Sequence, residues 1–271
     1  MKKEFSKVIS KKLGLLESEL KDAWVSPKGT HTRFFIVDEL LPLQDVENIY
    51  KEFKVDEAFW IPRSSFREKK YTFANIDKLH PIIGAITDSF HEESVLRAVS
   101  NITGIDNLES DPSLYAGGLS KMVKGDFLNP HIDNSHDGSR RRYRRLNLLF
   151  YVSPSWSLEN GGSFELWNRD VTEPVALASK CNRLIVMETG DQTYHSVSEV
   201  KSELPRCCVS NYFFSKSSPK KDDYYHVTSF TGRPNQLFQR WYGSFDNYLR
   251  NSIAKITGVS RGKSQARRKF R

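Results

Sequence analysis

Two textures of apolar patterning divide the chain. Through the first 113 residues the apolar positions recur at helical spacing. Phe5, Val8, Ile9, Leu13, Leu16 and Leu20 predict one amphipathic helix over residues 1–24, and Ile82, Ile83, Ile86, Phe90, Val95, Leu96 and Val99 predict another over about 80–100. Between them, RFFIV reads as a strand and LQDVENIYKEF as a helix with Pro42 near its start. Residues 55–75 are mixed: Phe59 and Trp60 read as core and SSFREKK as a surface loop. From Leu114 onward the pattern shortens to strand-length runs separated by Gly, Pro, Asn and Asp. LSKMVKG, LNLLFYV, SFELWN, VALA, RLIVME, the stretch around His195, RCCVSNYFF and YYHVTSF are the predicted strands, and LFQRWYGSFDNYLRNSIAKI reads as closing helices.

Many short strands after leading helices predict an α+β fold, a double-stranded β-helix (jelly roll) core flanked by N-terminal and C-terminal helices. We divide it into a helical and strand buttress of the same domain (1–113), the jelly-roll core (114–232), a C-terminal helical extension (233–260) and a basic disordered tail (261–271). A length of 271 residues, 38% of them hydrophobic, suffices for one substantial core.

Composition changes this picture little. The net charge of +8 suggests nucleic acid until it is located: six of the basic residues lie between Arg261 and Arg271, and 8 minus 6 leaves +2 for the rest. A solubilising end is therefore expected, with no nucleic-acid partner. No run approaches the roughly 20 apolar residues of a membrane span, and the N-terminus lacks a signal-peptide core. Cys181, Cys207 and Cys208 are odd in number, without metal-finger spacing, and include an adjacent pair that would not readily cross-link, which fits a reducing, cytoplasmic setting.

The candidate chemistry lies in GDFLNPHID and DQTYHSV. On an extended strand His131 and Asp133 point to one face. With His195 from a remote strand they would make two imidazoles and one carboxylate on one face of a metal, the set that suits non-haem Fe(II). Taken alone, His-x-Asp also serves as a polar turn, and His80, His91, His136 and His226 are assigned to surface, capping or structural roles. Strand phase adds a second feature: Arg206, Cys208, Ser210 and Tyr212 share one face of RCCVSNYFF, and Asn147, Leu149 and Tyr151 share one face of LNLLFYV. An arginine directed into a cavity between such faces needs a carboxylate or phosphate partner.

His131-x-Asp133, the run LNLLFYVSPSW followed by Gly161-Gly162-x-Phe-Glu-Leu, and His195 followed eleven residues later by Arg206 resemble, in this order, the Fe(II)/2-oxoglutarate-dependent dioxygenases of the prolyl 4-hydroxylase-like group. The resemblance covers about residues 114–214. It implies that His131, Asp133 and His195 hold iron and that Arg206 pairs with the distal carboxylate of 2-oxoglutarate, with Ser210 and Tyr151 beside it. Asn147 would bond co-substrate or substrate, and Leu149 and Phe164 would form apolar wall. It also implies Fe(II), 2-oxoglutarate and O2, with ascorbate as a supporting reductant, in hydroxylation of a prolyl residue or a small metabolite with release of succinate and CO2. Asp133 favours hydroxylation over halogenation. The chain departs from the group at Met122 and Leu128, where tyrosines are common. The alternative is a catalytically inactive jelly-roll binding or scaffold protein. Last, SRRRYRRLN carries Arg140, Arg141, Arg142, Arg144 and Arg145 without an acid; it reads as a solvated ribbon, and its place near the ligand pair suggests an anionic substrate.

Overall fold

The computed structural model describes residues 1–54, 59–73, 75–115, 117–220 and 222–241. The helices expected beyond Trp241, including Tyr242, and the basic tail lie outside the described residues.

The N-terminal apolar stripe forms two helices, α1 (Lys2–Leu15) and α2 (Glu17–Val25), because the backbone leaves helical geometry at Leu16 (φ −101°, ψ 7°). Phe5, Ile9, Leu13, Leu20 and Trp24 are buried on it, whereas Val8 is exposed. α3 (Leu43–Lys51) begins after Pro42, whose fixed φ suits the entry. The long helix expected over 80–100 is likewise two, α4 (Pro81–Ser89) and α5 (Glu93–Thr103), since Glu92 adopts an extended ψ of 142° between them. His80 is a cap: its Nδ1 accepts the Ile82 N–H at 3.2 Å.

The strands are β1 (Phe34–Asp38), β2 (Ile61–Ser64), β3 (Glu68–Phe73), β4 (Glu109–Ser110), β5 (Gly118–Met122), β6 (Phe127–Ile132), β7 (Tyr143–Tyr151), β8 (Phe164–Trp167), β9 (Pro174–Leu177), β10 (Arg183–Glu188), β11 (His195–Val197), β12 (Arg206–Ser215) and β13 (Ser229–Phe230). They form one curled antiparallel sheet in the order β1-β10-β7-β12-β5-β3-β6-β11-β8-β9, with β2 on β3, β4 on β12 and β13 on β6. Its two halves face each other. Tyr151, Ile185, Met187 and Cys208 of one half pack with Phe164 and Leu166 of the other. The outer face of the first half, including Leu148, Phe150, Val209 and Phe213, buries against Ile9, Leu13, Ile83, Ile86 and Val99 of the helices. At about 25 cal/mol per Å² of apolar surface, this continuous outer core is the main stabilising contribution.

Three sequence expectations are corrected. SSFREKK is the turn of a β-hairpin and the start of its second strand, and β3 is paired by both β5 and β6, which supply the backbone partners a loop would lack. Phe59 is 48% exposed, while Trp60 is buried between Phe53 and Phe73. Of YYHVTSF only Ser229–Phe230 pairs as strand. No described helix is long and apolar enough to cross a membrane.

Candidate metal centre

His131, one residue before the end of β6, lies opposite His195, which opens β11; their Cα positions are paired. The ladder shifts register so that Asn129 and Pro130 together oppose Ser196, a bulge that turns Leu128 and His131 toward the same face. Asp133 follows the strand. The three side chains form the one convergent His/Cys/Asp/Glu group among the described residues, with ligand atoms all within 4.8 Å of one another.

The hydrogen bonds fix which ring nitrogens face inward. His131 Nδ1 lies 3.0 Å from the Asn129 carbonyl and His195 Nδ1 3.1 Å from the Thr193 carbonyl. A carbonyl only accepts, so both Nδ1 atoms carry the proton and both Nε2 atoms present a lone pair. Those lone pairs face Asp133, at 3.8 Å from Oδ1 for His131 and 3.5 Å from Oδ2 for His195. Burial foremost, then the neighbouring His195, holds the His131 imidazolium pKa down to about 3 against the attraction of Asp133, so the ring is neutral. Burial pushes the Asp133 carboxyl up, but Arg144, the two histidines and the Asn147 hydrogen bond outweigh it and hold the group well below the usual carboxylate range. Two neutral imidazole lone pairs and an ionised carboxylate converging with no proton between them make a fitting seat for a divalent cation of the Fe(II) type.

Tyr151, which meets Arg206, packs with Phe164, whose ring neighbours His195; Arg206 itself opens β12 and is 3% exposed. Its Nε donates to the Gly162 carbonyl (2.7 Å) and to Ser179 Oγ (2.9 Å), Nη2 to the Tyr151 hydroxyl (3.2 Å), and Nη1 contacts Met122 Sδ (3.5 Å). Every acceptor is neutral; among the described residues no carboxylate pairs with it, Glu199 included. Gly161 and Gly162 both have positive φ, and a Cβ on Gly162 would sit 2.8 Å from Arg206 Cδ. The glycine pair is thus the arginine's seat as well as a turn. A buried guanidinium with only neutral partners fits a carboxylate guest.

The remaining expected residues line the same inner face. Cross-strand pairing sets Tyr151 opposite Cys208, Leu149 opposite Ser210 and Asn147 opposite Tyr212. Burial foremost pushes the Tyr151 phenol up, keeping it a neutral O–H. The Phe164 ring centroid is 5.7 Å from that of His195. Ser210 Oγ lies 3.6 Å from Cys208 Sγ. Asn147 Nδ2 donates to Asp133 Oδ2 at 2.6 Å. His136 and His226 stand outside the triad, in an aromatic group with Tyr143 and Tyr224.

The arginine run is not the solvated ribbon the sequence suggests. Arg142 pairs with Asp137 (2.9 Å), Glu109 (3.4 Å) and Asp111 (3.8 Å), Arg140 stacks on Tyr225, and Arg144, 1% exposed, lies 3.2 Å from Asp133. Only Arg141 is classed as exposed among the five. Arg144 is the functional-site residue that sequence reasoning missed. Strict alternation back from Asn147 would place Arg145 on the inner face, but the β7–β12 ladder skips Arg145, pairing Leu146 with Phe213 and Arg144 with Phe214. Also missed were Glu68 and Lys70, an ion pair of 2.9 Å on β3, the strand paired with β6.

Comparison with known proteins agrees with this geometry. Residues 117–214 match the model of the 2OG-Fe(II) oxygenase superfamily. Over 166 residues, 57% of this chain, the sequence is 31% identical to the mouse prolyl 3-hydroxylase OGFOD1; the chain spans 28% of that relative. A Pseudomonas putida prolyl-4-hydroxylase superposes with a TM-score of 0.56 at 14% identity, covering 74% of this chain and 99% of the other. A Phytophthora capsici prolyl 4-hydroxylase gives 0.57 at 16% identity, covering 93% and 77%. A Trichoplax adhaerens prolyl hydroxylase, solved with a hypoxia inducible factor peptide fragment, gives 0.52 at 17%, covering 76% and 92%. At these identities the structures establish the shared fold.

Proposed function

From the match of residues 117–214 to the 2OG-Fe(II) oxygenase superfamily, we propose that the chain is an Fe(II)- and 2-oxoglutarate-dependent dioxygenase hydroxylating a prolyl residue in a peptide segment. The observation that carries the reading is the buried His131, Asp133 and His195 cluster together with Arg206, a buried cation with no acid of its own. Iron and 2-oxoglutarate, when bound, supply with O2 the chemistry that oxidises an unactivated C–H bond and releases succinate and CO2, with ascorbate as a supporting reductant.

The chain's own residues hold and aim. His131 and His195 offer Nε2 because the Asn129 and Thr193 carbonyls hold the other nitrogen's proton. Arg206 takes the distal carboxylate of 2-oxoglutarate, with the Tyr151 hydroxyl alongside and Ser210 near by. Leu149 and Phe164 exclude water from the inner face. Among the described residues neither a ligand nor the anchor is missing, which disfavours the inactive scaffold.

The prolyl peptide is supported by the named relatives and by one local feature. Among the described residues Arg144 Nε and Nη2 are buried donors without a partner, and Asn147 Oδ1 is a buried acceptor without one. A peptide group, which carries one acceptor and one donor, complements that pair. The anionic substrate has less support, because Arg142 and Arg144 already face carboxylates. We propose residues 1–113 as buttress and 114–232 as catalytic core of one domain. Three free thiols support a cytoplasmic setting.

The test is succinate formation from 2-oxoglutarate with Fe(II), coupled to a screen of proline-containing peptides for a mass gain of one oxygen. We expect turnover that His131→Ala and His195→Ala abolish. Undiminished succinate production in either variant would overturn the reading.

A further inference from the structure

The chain treats the two oxygens of Asp133 differently. Oδ2 accepts from Asn147 Nδ2 at 2.6 Å and lies 3.2 Å from Arg144 Nη1 and 3.5 Å from His195 Nε2, whereas Oδ1, 3.8 Å from His131 Nε2, has no donor among the described residues. Both donors are held in place from behind. Asn147 sits mid-strand on β7, paired to Met187 on one side and Tyr212 on the other. The Arg144 guanidinium lies over the Tyr212 ring, 4.2 Å from its centroid, and is 1% exposed. Neither can swing away without unpacking the inner face.

A carboxylate is a broad, roughly two-fold rotor about its last torsion, so a lone Asp133 after the end of β6 would present either oxygen, or both, to a cation. Two fixed donors on one oxygen remove that freedom before any cation arrives. We infer that Arg144 and Asn147 are positioning residues for Asp133, fixing the rotation of the carboxylate through Oδ2 so that it already faces the two Nε2 atoms in one orientation. The inference rests on the reading of the triad as a metal centre.

Positioning and simple charge make opposite demands. If Arg144 acted only as a nearby cation, its removal would tighten the hold on a divalent ion by relieving repulsion. If it orients the ligand, removal loosens that hold by the tenfold to hundredfold typical of lost outer partners.

The experiment titrates Co(II) alone into the metal-stripped full chain, followed by visible absorption and calorimetry, without 2-oxoglutarate or turnover. Asn147→Ala and Arg144→Met should each raise the Co(II) Kd at least tenfold and alter the band intensities, as the Asp133 carboxylate is freed to rotate. Because both changes remove a buried bond to Asp133, the metal-free melting temperature of each variant is measured as well, so that Kd is compared on folded protein. Variants that bind Co(II) as tightly as the parent, or more tightly, overturn the inference while leaving the metal-centre reading standing. A parent chain that does not take up Co(II) overturns both.

Discussion

Arg206 and Gly162 are fitted to each other: the guanidinium Nε donates to the glycine carbonyl at 2.7 Å, and no side chain could occupy the space where the arginine's Cδ lies. Gly162 also has a φ of +58°, so Gly162→Ala adds backbone strain to a clash of 2.8 Å. We expect Gly162→Ala to shift Arg206 and raise the half-saturating 2-oxoglutarate concentration at least tenfold. Arg206→Ala should do the same, through loss of a charge-assisted fork contributing about 1.5–3 kcal/mol. Co(II) binding should be preserved in both. Succinate formation against 2-oxoglutarate concentration is the measurement, and an unchanged dependence would move the anchor elsewhere.

The triad ligands should not be equivalent for stability. Asp133 is the acid that faces the buried Arg144, so Asp133→Ala strands a buried cation and should cost the metal-free protein about 3–5 kcal/mol. The double variant Asp133→Ala with Arg144→Met should recover much of that loss, since no charge is then left unpaired. Chemical denaturation of the metal-free proteins tests this. Additive losses in the double variant would mean that the pair is not coupled.

Asp137 organises the loop between the ligand pair and β7. It accepts from the Arg142 guanidinium, the Arg141 backbone N–H and Ser139 Oγ. Burial pushes its carboxyl up, but Arg142 and these bonds outweigh burial and lower the pKa. A carboxyl depressed in the folded state stabilises above its unfolded pKa, and that contribution is lost as pH falls through the folded value. The parent should therefore be more stable than Asp137→Asn at pH 7, with the gap closing as pH falls through about 4 and below. A gap that stays constant down to pH 2 would refute the assignment.

Within the arginine run, Arg142→Gln should lower stability at pH 7 by on the order of 1–3 kcal/mol, because it leaves Asp137 and Asp111 without their cation. Arg141→Gln should change stability by less than about 0.5 kcal/mol. Melting temperatures compare the two. Equal effects would mean that the loop is held by something other than the Arg142 cluster.

The jelly roll and the helices packed outside it were legible because period-2 and period-3.6 patterns are local, and each strand keeps one apolar face. The inner faces of β7 and β12 followed from the same alternation, and placed Asn147, Leu149, Tyr151 and Ser210 on the cavity side. What escaped lies where alternation fails. The skipped residue Arg145 moves Arg144 inward, and the bulge at Asn129 and Pro130 sets His131 on a face that simple counting along β6 would not give. β3 escaped for another reason. Its residues EKKYTF are half polar, and only the two neighbouring strands, distant in sequence, make them a strand. The two helix breaks were invisible because the apolar stripe runs through them.

The clasp at the far end of the sheet limits how this chain can be cut. Arg233 holds Glu165 on β8 with both nitrogens, at 3.2 and 2.7 Å, and reaches Ser196, the residue next to His195. Just before it, β13 covers the edge of β6 opposite β11, and Phe230 stacks on the His131 ring at 4.9 Å. A fragment trimmed to residues 117–214, the stretch shared with the superfamily, would thus carry His131, Asp133 and His195 yet expose one flank of His131 to solvent and leave Glu165 without its counter-ion. The smallest portable version of the centre must run past Arg233, and on the other side must begin early enough to bring β3 with it.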